Sequence, residues 1–189
     1  MLYLKKAIQY SDKTKTEQLG LLYGDIGLTL LKQKKTKESL VYFEKTALLT
    51  KTNNSQRLLF FTKRNFGEYY NNTKEYPKAI ANYEEALQLS ESQNDAFQKI
   101  DLLYTLSGLY YETKNYNKSL DYSFQSLELA KKFNAKEFLF RSQKRISTIY
   151  NQLGQYQKGY DHLLISSNLK DTLLNEDHIK QLTLTSDAI

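Results

Sequence analysis

The sequence predicts an all-α solenoid of stacked antiparallel helix pairs, about four repeats of 40 residues behind a leading half-repeat helix. Three observations carry that expectation. First, Tyr70, Tyr110 and Tyr150 recur at a 40-residue interval, as do Tyr76, Tyr116 and Tyr156, and Asn54, Asn94 and Asn134. Self-similarity at such a period marks architectures in which each unit buries its apolar face on its neighbours. Second, one Pro and seven Gly punctuate 189 residues, too few for the many turns of an all-β protein. Third, 40% of the residues are hydrophobic, enough to bury a core and to argue against wholesale disorder.

The elements follow in order. Residues 1–12 read as the second half of an earlier second helix, with Ala7 at its late small position. A chain that opens partway through a repeat carries either a built-in cap or the cut edge of a longer protein; the second is the preferred expectation. Repeats then run over about residues 19–54, 59–94, 99–134 and 139–174, and residues 175–189 form a capping or extension segment. The unit is clearest in its second copy, from Phe66 to Leu87, where two stretches with helically spaced apolar residues flank a short polar turn.

Each repeat therefore holds two helices, A and B, with small residues at fixed points. They are Gly27, Gly67, Ser107 and Ser147 in helix A, and Ser39, Ala79, Ser119 and Gly159 early in helix B. Seven residues further on, on the same face of helix B, come Thr46, Ala86, Ser126 and Ser166. Small side chains let helices cross closely. Beside them stand large ones: Ile26, Phe66, Leu106 and Ile146 in helix A, and Leu40, Ile80, Leu120 and Tyr160 in helix B. Alternating small with large fills the interface without voids.

This order, in the second copy Phe66, Gly67, Tyr70, Tyr76, Ala79, Tyr83 and Ala86, resembles the tetratricopeptide repeat (TPR) over about residues 19–174. The resemblance implies a right-handed α-α superhelix. It also implies a non-enzymatic scaffold that binds a protein or peptide segment in its concave groove, or pairs with a second copy as a homodimer. Three departures stand out. The first signature aromatic is Tyr23, Lys63, Leu103 and Gln143; the late helix-B aromatic becomes Ser123 in the third copy; and no Pro closes the repeat. The common length is 34 residues, so the six extra lengthen helix ends by up to ~9 Å at about 1.5 Å per residue.

In the family, helix A lines the inner face. Carried over by register, the expected partner-binding residues are Arg64, Glu68 and Asn71 in the second copy. Tyr104 and Tyr111 follow in the third, and Arg141, Lys144 and Asn151 in the fourth. Gly24, Leu28, Leu31 and Lys32 hold the corresponding places in the first copy. Arg64, Arg141 and Lys144 suit peptide carboxylates, the Asn pair suits a peptide backbone, and the Tyr pair offers amphipathic anchors. The tail Leu169–Asp177 (LKDTLLNED) resembles a group of bacterial sensor-regulators in which such arrays precede a membrane span and a histidine kinase or LuxR-type DNA-binding domain. That points to a sensing or partner-binding domain of a bacterial signal-transduction regulator. The alternative is a stand-alone structural adaptor that assembles a complex through its convex or terminal faces.

The rest of the sequence narrows chemistry. A formal charge of +6 and a pI near 9.2 admit an anionic partner, but Lys and Arg are mixed with 21 acidic residues along the whole length, as in a solvated surface. The tyrosines have periodic packing places, so base stacking by interleaved aromatics is not expected, and nucleic acid is not an expected partner. There is no Cys, hence no disulfide or Cys-ligated zinc. His162 and His178 lie 16 apart, unlike a metal-binding pair, and His162 reads as a packing or surface residue. The adjacent Glu84 and Glu85 point different ways on a helix and form no catalytic dyad. No phosphate-cradling or nucleophile-elbow motif occurs. No catalytic residue, cofactor or metal is expected. No apolar run reaches a membrane-spanning length and the start is no secretory signal, so membrane association is expected only through segments outside this chain, with the compartment open.

Overall fold

A computed structural model of the chain describes residues 13–90 and 95–186, with side chains from 15 to 90 and from 95 to 175. Within them are eight α-helices and no strand: α1 (Lys13–Lys32), α2 (Thr36–Asn53), α3 (Gln56–Asn72), α4 (Tyr76–Ser90), α5 (Ala96–Glu112), α6 (Tyr116–Lys132), α7 (Lys136–Gln152) and α8 (Tyr156–Ser186). The expected half-repeat over residues 1–12 and Asn94 lie outside the described residues. The helices form four antiparallel pairs, α1/α2, α3/α4, α5/α6 and α7/α8. They divide into two compact units, one ending at Asp95 and the other starting at Ala96. In the first unit α3 packs on α1 and α2; in the second α7 packs on α5 and α6. The expected continuation of the tail is helical, since α8 runs unbroken for 31 residues.

The turn inside each pair is one device used four times. Lys34, Lys74, Lys114 and Gly154 have φ of 62°, 61°, 59° and 71°. The following amide closes back on the carbonyl five residues earlier: Lys35 on Leu30 at 2.9 Å, Glu75 on Tyr70 at 2.8 Å, Asn115 on Tyr110 at 2.8 Å and Gln155 on Tyr150 at 2.9 Å. With the bond from each left-handed residue, such as Lys114 N–H to Tyr111 O at 2.9 Å, this is a Schellman termination, which satisfies carbonyls the helix end would orphan. Asn54 and Asn134, with φ of 54° and 50°, serve the turns between pairs. Asn tolerates this region better than most residues, which accounts for these two members of the 40-residue series.

All the small positions of the repeat are buried, from Gly27 and Ser39 in the first pair to Gly159 and Ser166 in the last. A methyl group on Gly67 would stand 2.9 Å from the Tyr83 ring, so ring and glycine fit only as a pair. In the third pair both change together. Ser107 and Ser123 fill the same crossing and share a hydrogen bond of 2.5 Å, while Ser119 Oγ donates to Ser107 O at 2.7 Å. Loss of the aromatic at Ser123 thus leaves a small, hydrogen-bonded crossing.

The tyrosine series has a second use. Lys78, Lys118 and Lys158 place their ammonium groups 5.2, 4.8 and 5.4 Å from the ring centres of Tyr70, Tyr110 and Tyr150. A cation over an aromatic face is held by the ring quadrupole. Two positions depart from the packing roles expected of them. Tyr160 is 60% exposed and Tyr156 71% exposed, whereas Leu120 and Tyr116 are half-buried. Tyr116 is covered by the Tyr111 ring at 5.6 Å, and the residue in that place before Tyr156 is Asn151. Tyr160 lies on α8, over which no further helix packs among the described residues.

A left-handed residue with a side chain costs roughly 1–2 kcal/mol. Gly154→Ala, with no atom within 4 Å of the new methyl, therefore costs about 1 kcal/mol through the backbone alone. Lys114→Gly relieves the same strain and is expected to be neutral or stabilising. Chemical denaturation of the two variants checks the pair.

Candidate functional site

Helix α5 buries Ile100, Leu103, Leu106, Ser107 and Tyr110 and leaves Asp101, Tyr104, Gly108 and Tyr111 half-exposed. That spacing is one stripe of a 3.6-residue helix. Beside it α7 buries Ser142, Gln143, Ile146 and Ile149 and offers Arg141, Arg145 and Thr148, half-exposed, on its own stripe. The two A helices bring these residues into contact. The Arg141 guanidinium lies 4.3 Å from the centre of the Tyr104 ring and 5.3 Å from that of Phe138. The Arg145 guanidinium lies 5.1 Å from Tyr104 and 6.0 Å from Tyr111. Its Nη2 donates to Tyr104 Oη at 3.2 Å.

Gly108 makes room for this. A methyl group there would meet Arg145 Nη2 at 3.4 Å, so the guanidinium lies across α5 where a longer side chain would displace it. Of the residues expected to bind a partner, Tyr104, Tyr111 and Arg141 are thus drawn together. Arg145 joins them although the register placed Lys144 in that role. Lys144 is exposed, with its ammonium 6.0 Å from the Phe140 ring. The signal that finds Arg145 is its spacing of four from Arg141, which puts both on one face of α7.

The other candidates are placed differently. Asn151 is exposed and its side chain lies against the backbone of α8 at Gly159, where an added methyl would fall on it. In the first unit Arg64, Glu68 and Asn71 lie half-exposed on α3. Glu68 Oε2 accepts a hydrogen bond of 2.7 Å from the Tyr83 hydroxyl, which ties it to its own helix pair. Among the first-copy positions Leu31 is 4% exposed and belongs to the core, while Gly24 faces the Asn65 side chain. The Oδ1 of Asn65 is buried without a hydrogen-bond partner. Among the described residues no group of three or more His, Cys, Asp or Glu could hold a metal ion.

His162 is a packing residue. Its ring stacks on Tyr150 at 5.6 Å and meets Phe124 edge-on at 5.9 Å, and its Nδ1 lies 2.5 Å from Gln143 Oε1. Burial among these groups is the main cause that lowers its pKa from the ordinary histidine value, with the nearby Lys131 charge adding to it and Asp161 opposing it.

Residues 58–132 match the family model described as "Tetratricopeptide repeat". Over that stretch the chain carries tetratricopeptide repeats. A 54-residue stretch is 44% identical to the Photosystem I assembly protein Ycf3 of Acaryochloris marina, covering 29% of this chain and 31% of that one. Among solved structures, a Signal Transduction ATPase with Numerous Domains (STAND) protein with a tetratricopeptide repeat sensor, from Pyrococcus horikoshii, superposes on 93% of the chain with a TM-score of 0.80 at 19% identity. Aspartyl phosphate phosphatase F of Bacillus subtilis does so over 90% with a TM-score of 0.77 at 16% identity. The chain spans 27% and 44% of those two proteins, and at these identities the likeness is one of fold. The TPR fold is that of a protein-interaction scaffold. Among the described residues no helix is long and apolar enough to cross a membrane.

The lowered His162 pKa has a sign. The unfolded chain takes up the proton first as pH falls, so the neutral ring contributes stability above the usual histidine pKa of about 6.5 that is lost progressively below it. The drop in melting temperature between pH 7.5 and 5.5 is expected to be smaller in His162→Gln than in the unaltered chain. Equal drops in the two would contradict the reading.

Proposed function

We propose that this TPR chain is the sensing or partner-binding region of a bacterial signal-transduction regulator, and that it works by holding a protein or peptide segment against its A helices. One observation carries the proposal: Tyr104, Tyr111, Arg141 and Arg145 form a polar, aromatic surface on α5 and α7 that the core does not consume. Tyr and Arg are the side chains that dominate binding energy where proteins meet. Lys144 and Asn151, exposed on the same α7, are further candidate contacts, and Arg64 and Asn71 on α3 are those of the first unit taken by itself. The sensing role draws on the fold likeness to a STAND protein whose TPR region is itself a sensor, and on the tail Leu169–Asp177. Signalling requires that the partner bind two arrangements of the array with different affinity.

The second reading, a structural adaptor, has its own support. It draws on the 44% identity of a short stretch to an assembly protein, and on Tyr156, Tyr160, Leu163 and Leu164, which are between 48% and 71% exposed on α8.

Affinity capture from an extract of the source cells, followed by binding measurements with variants, separates the two. In the sensing reading, Tyr104→Ala, Arg64→Ala and Lys144→Ala each weaken the captured partner about 10-fold or more, as loss of an interface anchor worth about 1.4 kcal/mol would. In the adaptor reading those variants bind normally and Tyr160→Ser with Leu164→Ser abolishes capture.

A further inference from the structure

We infer that α8 pairs with α8 of a second copy of this chain, antiparallel about a two-fold axis level with Ile165, through a stripe of exposed residues that is complementary to itself. The inference goes beyond the partner-holding reading and uses none of the A-helix surface.

Tyr156, Tyr160, Leu163, Ser167, Lys170 and Leu174 follow one another on α8 at steps of three or four residues, which makes them one stripe of a helix with 3.6 residues per turn. All six are exposed. The buried side of the helix, at Gly159 and Ser166, is turned to α7. On α6, where α7 packs, the places of Leu163, Ser167 and Lys170 are held by Ser123, Leu127 and Ala130, and all three are buried. A contiguous apolar stripe left open in this way marks a surface for another molecule.

The order of residues along the stripe says which molecule. Laid antiparallel on itself, the stripe sets Tyr156 opposite Leu174, Tyr160 opposite Lys170 and Leu163 opposite Ser167. Each match occurs twice, as a two-fold interface requires. The chain uses the same matches internally: large against small at its helix crossings, and lysine on a tyrosine ring at Lys78, Lys118 and Lys158. Laid parallel, the stripe would set Lys170 against Lys170, and like charges repel. The area is of the right order. A whole tyrosine side chain offers about 150–250 Å², so the exposed parts of Tyr156 and Tyr160 supply roughly 250 Å² of the ~800 Å² that each partner buries in a specific interface. Leu163, Leu164 and Leu174, each about half exposed, add to it.

The test is sedimentation of the full chain over a range of concentrations. A species of twice the 22.2 kDa chain mass is expected to grow with concentration. Tyr160→Lys, which opposes two ammonium groups, should weaken the pairing about 10-fold or more, and adding Lys170→Tyr should restore it by exchanging ring and cation. Ile165→Ser removes a similarly exposed apolar residue from the far side of α8 and should change the pairing less than about 2-fold. The chain has no Cys, so oxidising a mixture of Leu163→Cys and Ser167→Cys chains reads the direction: the mixed disulfide should form in preference to either chain's disulfide with itself. Circular dichroism checks that each variant is folded. A chain that stays monomeric at every concentration would overturn the pairing and leave the α8 face to a foreign protein. A dimer that ignores Tyr160→Lys, a double variant that restores nothing, or a preference for the unmixed disulfides would overturn it as well. Partner capture by the A helices stands or falls separately.

Discussion

The close crossing of paired helices is the constraint from which the rest of this structure follows. Wherever A and B helices meet, one side of the crossing is Gly, Ala, Ser or Thr and completely covered. Only side chains of that size let the backbones approach within reach of interdigitating neighbours. The large residues then have fixed cavities to fill, and Phe43, Leu106 and Ile146 are wholly buried in them. Because the crossings dispose of one face of each A helix, the opposite stripe is left to solvent and to partners. The Tyr104–Arg141–Arg145 surface exists because Leu103, Leu106 and Ile146 turn the other way.

The turns obey the same economy. Four Schellman terminations at a 40-residue interval fix how sharply each A helix gives way to its B helix, and thus which face of B meets A. Three of them are made with lysine in a left-handed conformation and one with glycine. The strain that lysine brings is small beside the packing each turn makes available. The periodic lysines at 78, 118 and 158 show a parallel use of charge: their ammonium groups cap the tyrosine faces of the repeat. Part of the basic excess therefore serves the hairpins, which is why net charge alone says little about partners.

Much of the fold was legible in the sequence because burial and close approach impose period and size together. The small positions at 27, 67, 107 and 147, and their helix-B counterparts, reveal the crossings directly. The turns were less legible. Asn54 and Asn134 mark left-handed residues, but Lys34, Lys74 and Lys114 carry no such chemistry, and only Gly154 betrays the conformation they share. The contacts between A helices were legible in part. Register put Tyr104, Tyr111 and Arg141 on half-exposed stripes that meet between α5 and α7, while Arg145, which the register passed over for Lys144, makes the contact across the two helices. A repeat pattern describes each helix against its own hairpin and is silent about which side chain reaches the neighbouring A helix. Tyr156 and Tyr160 show the same limit, since their periodic neighbours are covered by rings and helices that these two lack.

The pairing of residues at one crossing tests the governing constraint most directly. A double-mutant cycle at the third hairpin, measured by chemical denaturation, would convert its Ser107 and Ser123 to the Gly and Tyr that the second hairpin uses at Gly67 and Tyr83. Ser123→Tyr alone should destabilise by about 1–3 kcal/mol through overpacking, and Ser107→Gly alone by about 1 kcal/mol through lost hydrogen bonding and helix propensity. The double variant is expected to recover much of the sum, with a coupling of at least about 1 kcal/mol. Strict additivity of the two losses would contradict the claim that small and large residues at a crossing act as one unit.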